Sequence, residues 1–357
     1  MSEHTKARKL HYDLLRILAA FSVVMLHTSA QIWYDRPVND PVWLAANSWN
    51  ALMRFGVPIF VMISGALFLE TDRELPLGKL MKHHVLRMAV VYVLWSLFYG
   101  ILDFSRFDLR SLEASQSPIK VFLNEWVGGR YHLWFLPMLI GIYLLLPMLR
   151  TWVGHAEKKE IEYFLLLFLI LQIGRESARV IAFGRPLSIA LINLCEVETV
   201  CSYLGYFVLG YYLDHFGVGA KWKKFIYAAG ILGEGCNVLF GNYVALHGGV
   251  ARGDVYDSFT LPTFCVVIAL FVAGGALAGK LHFSERTTKV LVNISADTFG
   301  IYLMHVGALE ILCRLHPDLF TVAPAVMIPV NALRTFLVCM LLAAVLRRIP
   351  VIGKYIC

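Results

Sequence analysis

The chain has 357 residues, of which 58% are hydrophobic and 16% are charged, and its mean hydropathy is +0.65. A charged fraction well below the roughly 25% of soluble domains, together with unbroken apolar stretches of about 20 residues, excludes a water-soluble globular protein and a barrel of alternating strands. The net charge of +7 comes from basic residues beside these stretches, so it indicates no nucleic-acid partner.

The apolar stretches predict an all-α, polytopic transmembrane bundle of about ten helices, forming a single domain over residues 1–357. In chain order, the predicted helices are 12–31, 50–70, 85–103, 132–152, 161–176, 197–215, 225–246, 259–279, 294–313 and 325–346. A further apolar run between the fifth and sixth helices, PLSIALINL, could be a re-entrant or interfacial segment.

Lysine placement predicts the orientation of these helices. If the N-terminus is cytoplasmic, twelve of the thirteen lysines lie on the cytoplasmic side and only Lys120 lies outside. Arginine is less one-sided, because several arginines fall in predicted outer loops. The lysine bias therefore predicts that both termini are cytoplasmic.

The first predicted helix keeps two costly side chains, Arg16 and His27, in the stretch DLLRILAAFSVVMLHTS. They are eleven residues apart, which places them on nearly the same helix face, roughly 16 Å apart along the axis. An ionisable group at mid-membrane costs about 2.5–3.5 kcal/mol, so it usually faces protein or water and marks a pathway or site. The alternative is structural: His27 could hydrogen-bond a neighbouring helix and Arg16 could extend to the lipid headgroups.

Other polar groups fall at matching depths in later helices. They are Arg54 and Ser64 in helix 50–70, His132 and Trp134 at the start of helix 132–152, and Tyr302 and His305 in helix 294–313. Chain direction places Arg54, His132 and His305 in the outer half of the membrane, as it does His27. We therefore predict that these four groups converge.

A basic cluster, KLMKHHVLRM, precedes the third helix on the predicted cytoplasmic side and contains Lys82, His84 and Arg87. Lysine and arginine pair with phosphates, arginine in a bidentate manner, so the cluster could hold a phosphorylated cytosolic ligand. Anchoring to anionic lipid predicts the same residues. The seven cysteines show no spacing typical of metal ligands, and no metal is expected.

Five stretches in this order resemble the acyltransferase-3 family of integral membrane O-acyltransferases. They are the first-helix stretch, PIFVMISGALFL, the basic cluster, HLWFLPMLIGIYLLLPML and FGIYLMH. The sequence is similar to bacterial inner-membrane O-acetyltransferases that modify surface glycans, such as the enterobacterial common antigen type. This resemblance implies a multi-pass protein of the bacterial cytoplasmic membrane. It also implies transfer of an acetyl or short acyl group from cytosolic acyl-CoA, here acetyl-CoA, to a hydroxyl of an extracytoplasmic sugar or lipid-linked glycan.

The resemblance also suggests residue roles. Arg16 and His27 match the family's first-helix arginine and histidine, Ser64 with Gly65 matches its serine-glycine motif, and Trp134 with Pro137 matches its tryptophan-x-x-proline motif. The family's paired-arginine motif is only half kept, since Arg87 matches the second arginine but His84 stands at the first. Because one arginine is missing, binding of the acyl donor at this motif is expected to be weaker, unless Lys82 supplies the missing charge.

The residue types suit acyl transfer to an alcohol, which needs a base for the hydroxyl proton and a donor for the tetrahedral oxyanion. His27 is the predicted base, with His305 and Ser64 as further predicted catalytic residues, and Arg16 is predicted to hold the acyl donor. A relay in which His27 or His305 carries the acetyl group covalently is the alternative route. Candidate acceptor-binding residues are Arg54, His132, Trp134 and Tyr302. A membrane transporter using Asp13, Glu234, Glu310 and Arg334 as ion or proton sites remains the alternative function.

Overall fold

The computed structural model describes residues 9–34, 36–72, 74–105, 117–181, 198–278, 280, 283–316, 322–350 and 353. Within these ranges all regular structure is helical. The helices are α1 (Leu10–Trp33), α2 (Pro41–Leu52), α3 (Gly56–Phe68), α4 (Leu77–Leu80), α5 (Leu86–Phe104), α6 (Pro118–Gly128), α7 (Phe135–His155), α8 (Lys158–Phe168), α9 (Arg175–Ile181), α10 (Glu198–Phe216), α11 (Ala220–Gly248), α12 (Leu261–Ala278), α13 (Glu285–Leu315) and α14 (Pro324–Leu346). The apolar run PLSIALINL lies outside the described residues.

Four short turns of other helical types connect or precede these helices. Two π-helical turns, Met81–Val85 and Leu169–Gly174, join α4 to α5 and α8 to α9. Two 3-10 turns, Tyr131–Trp134 and Gly253–Tyr256, precede α7 and α12.

Seven helical segments in the described part of the chain are long and apolar enough to cross a membrane. They are Leu10–Trp33, Pro41–Phe68, Leu77–Phe104, Tyr131–His155, Gly253–Leu277, Glu285–Leu315 and Pro324–Leu346. The chain is therefore a multi-pass membrane protein. The other three predicted spans, 161–176, 197–215 and 225–246, coincide with helices α8 to α11. Their crossing of the membrane stays a prediction.

The predicted helix 50–70 differs from the structure, because it is broken between α2 and α3. Helix α2 ends at Leu52 and α3 begins at Gly56. Pro58 explains the break: it has no N–H for the carbonyl of Arg54, and its ring would clash with that carbonyl in a continuous helix. Arg54 therefore lies in a turn between two helices.

The chain divides into two compact units. The first comprises Met1–Glu70 and Ala156–Met340, and the second comprises Thr71–His155 and Leu341–Cys357. In the first unit, α1 packs against α2, α3, α12 and α13, while α3 packs on α10 and α11 packs on α12. In the second unit, α5 packs on α6 and α7. A single functional domain over the whole chain stays a prediction.

Helices α3 and α10 of the first unit touch backbone to backbone. A Cβ added at Gly65 would lie 1.7 Å from the carbonyl oxygen of Phe207, and one added at Gly210 would lie 2.0 Å from that of Met62. Only glycine permits so close an approach, which is a common way for helices to associate in membranes.

Helices α1 and α13 run parallel to each other. Near the start of α1, Ser295 Oγ donates a hydrogen bond to Asp13 Oδ1 at 2.7 Å. Further along both helices, the ring of His27 lies beside the ring of His305. The contact pairs advance in the same direction on both helices, in agreement with the chain directions predicted from the lysines.

Candidate active site

Two imidazoles meet between α1 and α13. The ring centroids of His27 and His305 are 5.0 Å apart, with the planes tilted by 38°. His305 is completely buried and His27 is half-buried. Helix α1 therefore presents His27 to another helix of the first unit, as expected of a functional group rather than a lipid-facing side chain.

The backbone fixes the ring of His305. Its Nδ1 lies 2.6 Å from the carbonyl oxygen of Tyr302. Because a carbonyl can only accept, Nδ1 carries the proton and Nε2 presents a lone pair. The ring of Tyr302 lies 6.0 Å from that of His305, centroid to centroid. The candidate residues Tyr302 and His305 therefore belong to one buried group.

Arg54 is held at the break between α2 and α3. Its Nη2 donates a 2.6 Å hydrogen bond to Asn50 Oδ1, and its guanidinium carbon lies 4.9 Å from the centre of the Tyr256 ring. No carboxylate among the described residues lies within 4.0 Å of Arg54, although Asp257 acts on it electrostatically from further away. The positive charge also acts on His27. Arg54 is thus a cation beside the histidine pair, positioned mainly by neutral groups.

A polar network supports these neighbours of Arg54. Tyr256 Oη and Trp33 Nε1 both donate to Asn47 Oδ1, at 2.6 Å and 2.8 Å. Asn50 Nδ2 donates to Ser29 Oγ at 3.1 Å. Sequence reasoning missed Asn47 and Tyr256 because the predicted spans began at residues 50 and 259, and it missed Asn50 because that residue stood at the very start of its predicted span. The available signal was the pair of asparagines in the otherwise apolar helix α2.

The opposite end of the α1 face carries Asp13 and Arg16. Asp13 is buried, accepts the hydrogen bond from Ser295, and has Arg16 Nη1 3.5 Å from its Oδ1. The Arg16 side chain is 30% exposed. This guanidinium is partly exposed and makes only a long contact with the buried carboxylate, so it can reorient toward a phosphate. That property suits the predicted role of Arg16 in binding the acyl donor.

The basic cluster belongs to the second unit and surrounds the π-helical turn. Lys82 is exposed, whereas His84 and Arg87 are half-buried. The ring of His84 lies 6.1 Å from that of Tyr143, edge to face. Side chains two residues apart on a helix point in different directions, so Lys82 and His84 do not form one pair of charges. Binding of the acyl donor by Lys82, His84 and Arg87 stays a prediction.

Ser64 has a structural function in α3. Its hydroxyl donates to the carbonyl oxygen of Phe60 at 2.9 Å, one turn earlier in the same helix. The adjacent Gly65 provides the contact with α10. Packing therefore accounts for the glycine of the serine-glycine motif, and a catalytic role of Ser64 stays a prediction.

His132 and Trp134 lie in the 3-10 turn of the second unit and point in different directions. His132 is buried, with its ring centroid 5.1 Å from that of Tyr99, edge to face. Trp134 is 46% exposed. Of the four groups predicted to converge, the structure brings His27, His305 and Arg54 together in the first unit, whereas His132 packs within the second.

Comparison with protein families identifies the family of the chain that carries this site. The family model described as an acyltransferase domain, Acyl_transf_3, matches residues 10–347. The chain belongs to the acyltransferase-3 family. Neither the curated proteins nor the solved structures gave a match. All the candidate residues of this acyltransferase lie inside the matched region, and the finer likeness to the enterobacterial common antigen type stays a prediction.

The described part of the acyltransferase contains no group of three or more His, Cys, Asp or Glu side chains arranged to hold a metal ion. The functional groups of the site are the imidazoles of His27 and His305 and the guanidinium of Arg54. Together they can accept a proton and stabilise negative charge, the two requirements of acyl transfer to a hydroxyl.

Proposed function

We propose that this membrane acyltransferase moves an acetyl or short acyl group from cytosolic acyl-CoA to a hydroxyl of an extracytoplasmic or lipid-linked glycan, with His27 as general base. The observation that carries the proposal is the contact between His27 and His305 within the helices of a chain whose family transfers acyl groups. The bacterial cytoplasmic membrane is the proposed location.

The proposed step is direct transfer. His27 removes the proton from the acceptor hydroxyl while the hydroxyl oxygen forms a bond to the thioester carbonyl carbon. The tetrahedral intermediate then collapses, the carbon–sulfur bond breaks, and His27 returns the proton to the departing thiolate of CoA. The guanidinium of Arg54, which carries no ion pair among the described residues, is suited to stabilise negative charge near this base.

His305 has a proposed positioning role. Its Nδ1–H is held by the Tyr302 carbonyl, so its ring presents a fixed surface against which the His27 ring is oriented. A relay in which either histidine carries the acetyl group is the competing route, and it predicts ping-pong kinetics. Direct transfer requires one fewer covalent intermediate and is preferred.

The proposed binding roles follow the two ends of α1. Arg16 at its start, with Lys82, His84 and Arg87 of the second unit, is proposed to bind the phosphates of acyl-CoA. Arg54 and Tyr302 beside the histidines, with His132 and Trp134 of the second unit, are proposed to bind the acceptor.

Thioester turnover by the purified protein in detergent tests the proposal. His27→Gln should lower both release of the CoA thiol and acetylation of a glycan acceptor by about 10²- to 10⁴-fold, because the general base is lost. The matched control is His247→Gln, since His247 is exposed near the end of α11 and should be dispensable. Full turnover by His27→Gln would refute the proposed base.

Two further readouts separate the alternatives. Intact-protein mass spectrometry after incubation with acetyl-CoA alone would show one added acetyl group if a histidine relay operates, and no added mass if transfer is direct. Substrate flux into liposomes without thioester turnover would instead indicate the transporter considered from the sequence.

A further inference from the structure

A candidate binding cavity, separate from the histidine site, lies entirely within the second unit. It encloses about 420 Å³, within the range of small-molecule sites. It is lined by Asp103, Phe104, Val121, Glu125, Arg130 and Tyr131, from the end of α5, from α6 and from the turn before α7. None of these residues belongs to the site described above.

One wall of the cavity is built around Arg130. Its guanidinium forms an ion pair with Asp103 and lies 5.9 Å and 6.0 Å from the ring centres of Tyr99 and Tyr131. The preceding Gly129 has a φ of +68°, and a Cβ there would lie 2.9 Å from Ser96 Oγ. The backbone turn that carries Arg130 and Tyr131 thus depends on glycine and is fixed by its neighbours.

The other exposed groups of the cavity are a carboxylate and an aromatic ring. Glu125 is exposed on α6, and Tyr131 is 53% exposed. A carboxylate accepts hydrogen bonds from neighbouring hydroxyls, and an aromatic ring packs on an apolar C–H face. A pyranose ring presents both features, whereas an acyl chain presents no hydroxyls.

The charge of the lining restricts the ligand further. Two carboxylates, Asp103 and Glu125, face one guanidinium, Arg130, which Asp103 already neutralises. Among the described lining residues the remaining charge is negative, so they would repel a phosphate or carboxylate. The lining therefore favours an uncharged, hydroxyl-rich ligand over an anionic lipid headgroup.

The cavity also lies at the end of α5 that is remote from Lys79 and Lys82. Since the lysine-rich start of this helix is predicted to be cytoplasmic, Asp103 and Phe104 are predicted to open to the outer side. Tyr131 is followed directly by His132, a candidate acceptor-binding residue.

From these contacts we propose that the cavity binds a neutral sugar residue of the acceptor glycan. The inference rests on the proposed function, because that function supplies a glycan on the outer side. It adds a subsite in the second unit and a preference for an uncharged pyranose there.

Saturation-transfer NMR on the detergent-purified full chain tests this directly. Glucose and N-acetylglucosamine serve as neutral probes, glucuronate as an anionic probe, and lipid vesicles containing phosphatidylglycerol as a competitor. We expect signals from the neutral sugars, weaker signals from glucuronate, and no displacement by the vesicles.

Two substitutions test whether the neutral sugar binds in this cavity. Tyr131→Ala and Glu125→Gln should each raise the Kd for the neutral sugar by about five- to tenfold, while Tyr163→Ala, a change of another exposed tyrosine, should leave it unaltered. Unchanged affinity in both cavity variants, preference for glucuronate, or displacement by the anionic vesicles would overturn the proposal. Sugar binding without thioester turnover would instead retain the cavity and refute the proposed enzyme.

Discussion

The surroundings of Arg54 indicate which charge the proposed acceptor should carry. A charged side chain in a membrane protein is usually paired with an opposite charge. Here, within the described residues, the guanidinium is held by an amide oxygen of Asn50 and the face of Tyr256. Neither neutralises it, so an anionic group of the substrate, such as a lipid diphosphate or an acidic sugar, would complete the arrangement.

Replacing Arg54 should therefore affect anionic acceptors most. We expect Arg54→Gln to lower kcat/KM for an acceptor carrying phosphate or carboxylate by about 10- to 100-fold, because a charge-assisted hydrogen bond of about 1.5–3 kcal/mol is lost. Steady-state kinetics with paired charged and uncharged acceptors measure this.

Arg252 provides the comparison for Arg54. Its guanidinium makes two hydrogen bonds to the carboxylate of Asp254, so it is already neutralised. Arg252→Gln should leave the preference between charged and uncharged acceptors unchanged. An equal loss for both classes of acceptor in Arg54→Gln would assign Arg54 to charge stabilisation during transfer instead.

Some of the individual residues of the candidate site could be predicted from the sequence. Depth in the membrane was enough to group His27, His305 and Arg54, because chain direction and residue count determine depth. Depth contains no lateral information, and the structure shows only that His132 packs against Tyr99 within the second unit. The convergence of His132 with the other three groups stays a prediction. The role of Asn50 could not be predicted without knowing that α2 is a separate helix.

Among the helices, the crossing of α3 and α10 depends on the absence of one side chain. Gly65→Ala would place a methyl group 1.7 Å from the Phe207 carbonyl oxygen, so the two backbones must separate. We expect the free energy of unfolding to fall by about 2 kcal/mol or more. Thermal unfolding in detergent would show this as a lower Tm.

Gly235→Ala is the matched control for Gly65→Ala. Gly235 also lies within a helix, but a Cβ at that position meets nothing within 4 Å. Alanine has the higher helix propensity, so this change should leave the Tm unaltered or raise it slightly. Equal behaviour of the two variants would contradict the close crossing of α3 and α10.

The pairing of α1 with α13 depends on a hydrogen bond at its predicted inner end. Ser295→Ala removes a donor from the buried carboxylate of Asp13 and should lower the free energy of unfolding by about 1–3 kcal/mol. Ser64→Ala removes only a bond to a carbonyl of its own helix and should cost less. Denaturation of both variants under identical conditions would test the ranking, and a larger loss for Ser64→Ala would contradict it.

The sequence predicted the existence of these helices better than their ends. Hydropathy located α1, α13 and α14 to within a few residues of their limits, apart from the longer polar start of α13. It merged part of α2 with α3, because residues 50–70 are mostly apolar and the effect of Pro58 is on backbone geometry rather than polarity. The π-helical turn in the basic cluster leaves no hydropathy signal either.

For the whole molecule, the number of crossings determines where the C-terminus lies. If the seven segments that meet the length and hydropathy criteria among the described residues were all the crossings, the termini would lie on opposite sides of the membrane, because seven is odd. If α8 with α9, α10 and α11 each add a crossing, the total becomes ten and the termini lie on the same side.

A reporter fused after Cys357 decides between these counts. We expect a C-terminal fluorescent protein to be active in the cytoplasm and a C-terminal alkaline phosphatase to be inactive, in agreement with the lysine bias. An active phosphatase would show that the crossings are odd in number. A fusion after residue 280, next to Lys280, which is predicted to be cytoplasmic, serves as the comparison for the fluorescent protein.

The helices that carry the histidine pair, α1 and α13, are separated by about 250 residues of sequence. During synthesis, the first imidazole enters the membrane long before the helix that will contact it has left the ribosome. If the proposed function is correct, a nascent chain would therefore lack the assembled histidine pair, and with it thioester turnover, until α13 has been inserted. A chain that ended before α13 would contain His27 without His305, so the proposed activity should be absent from it.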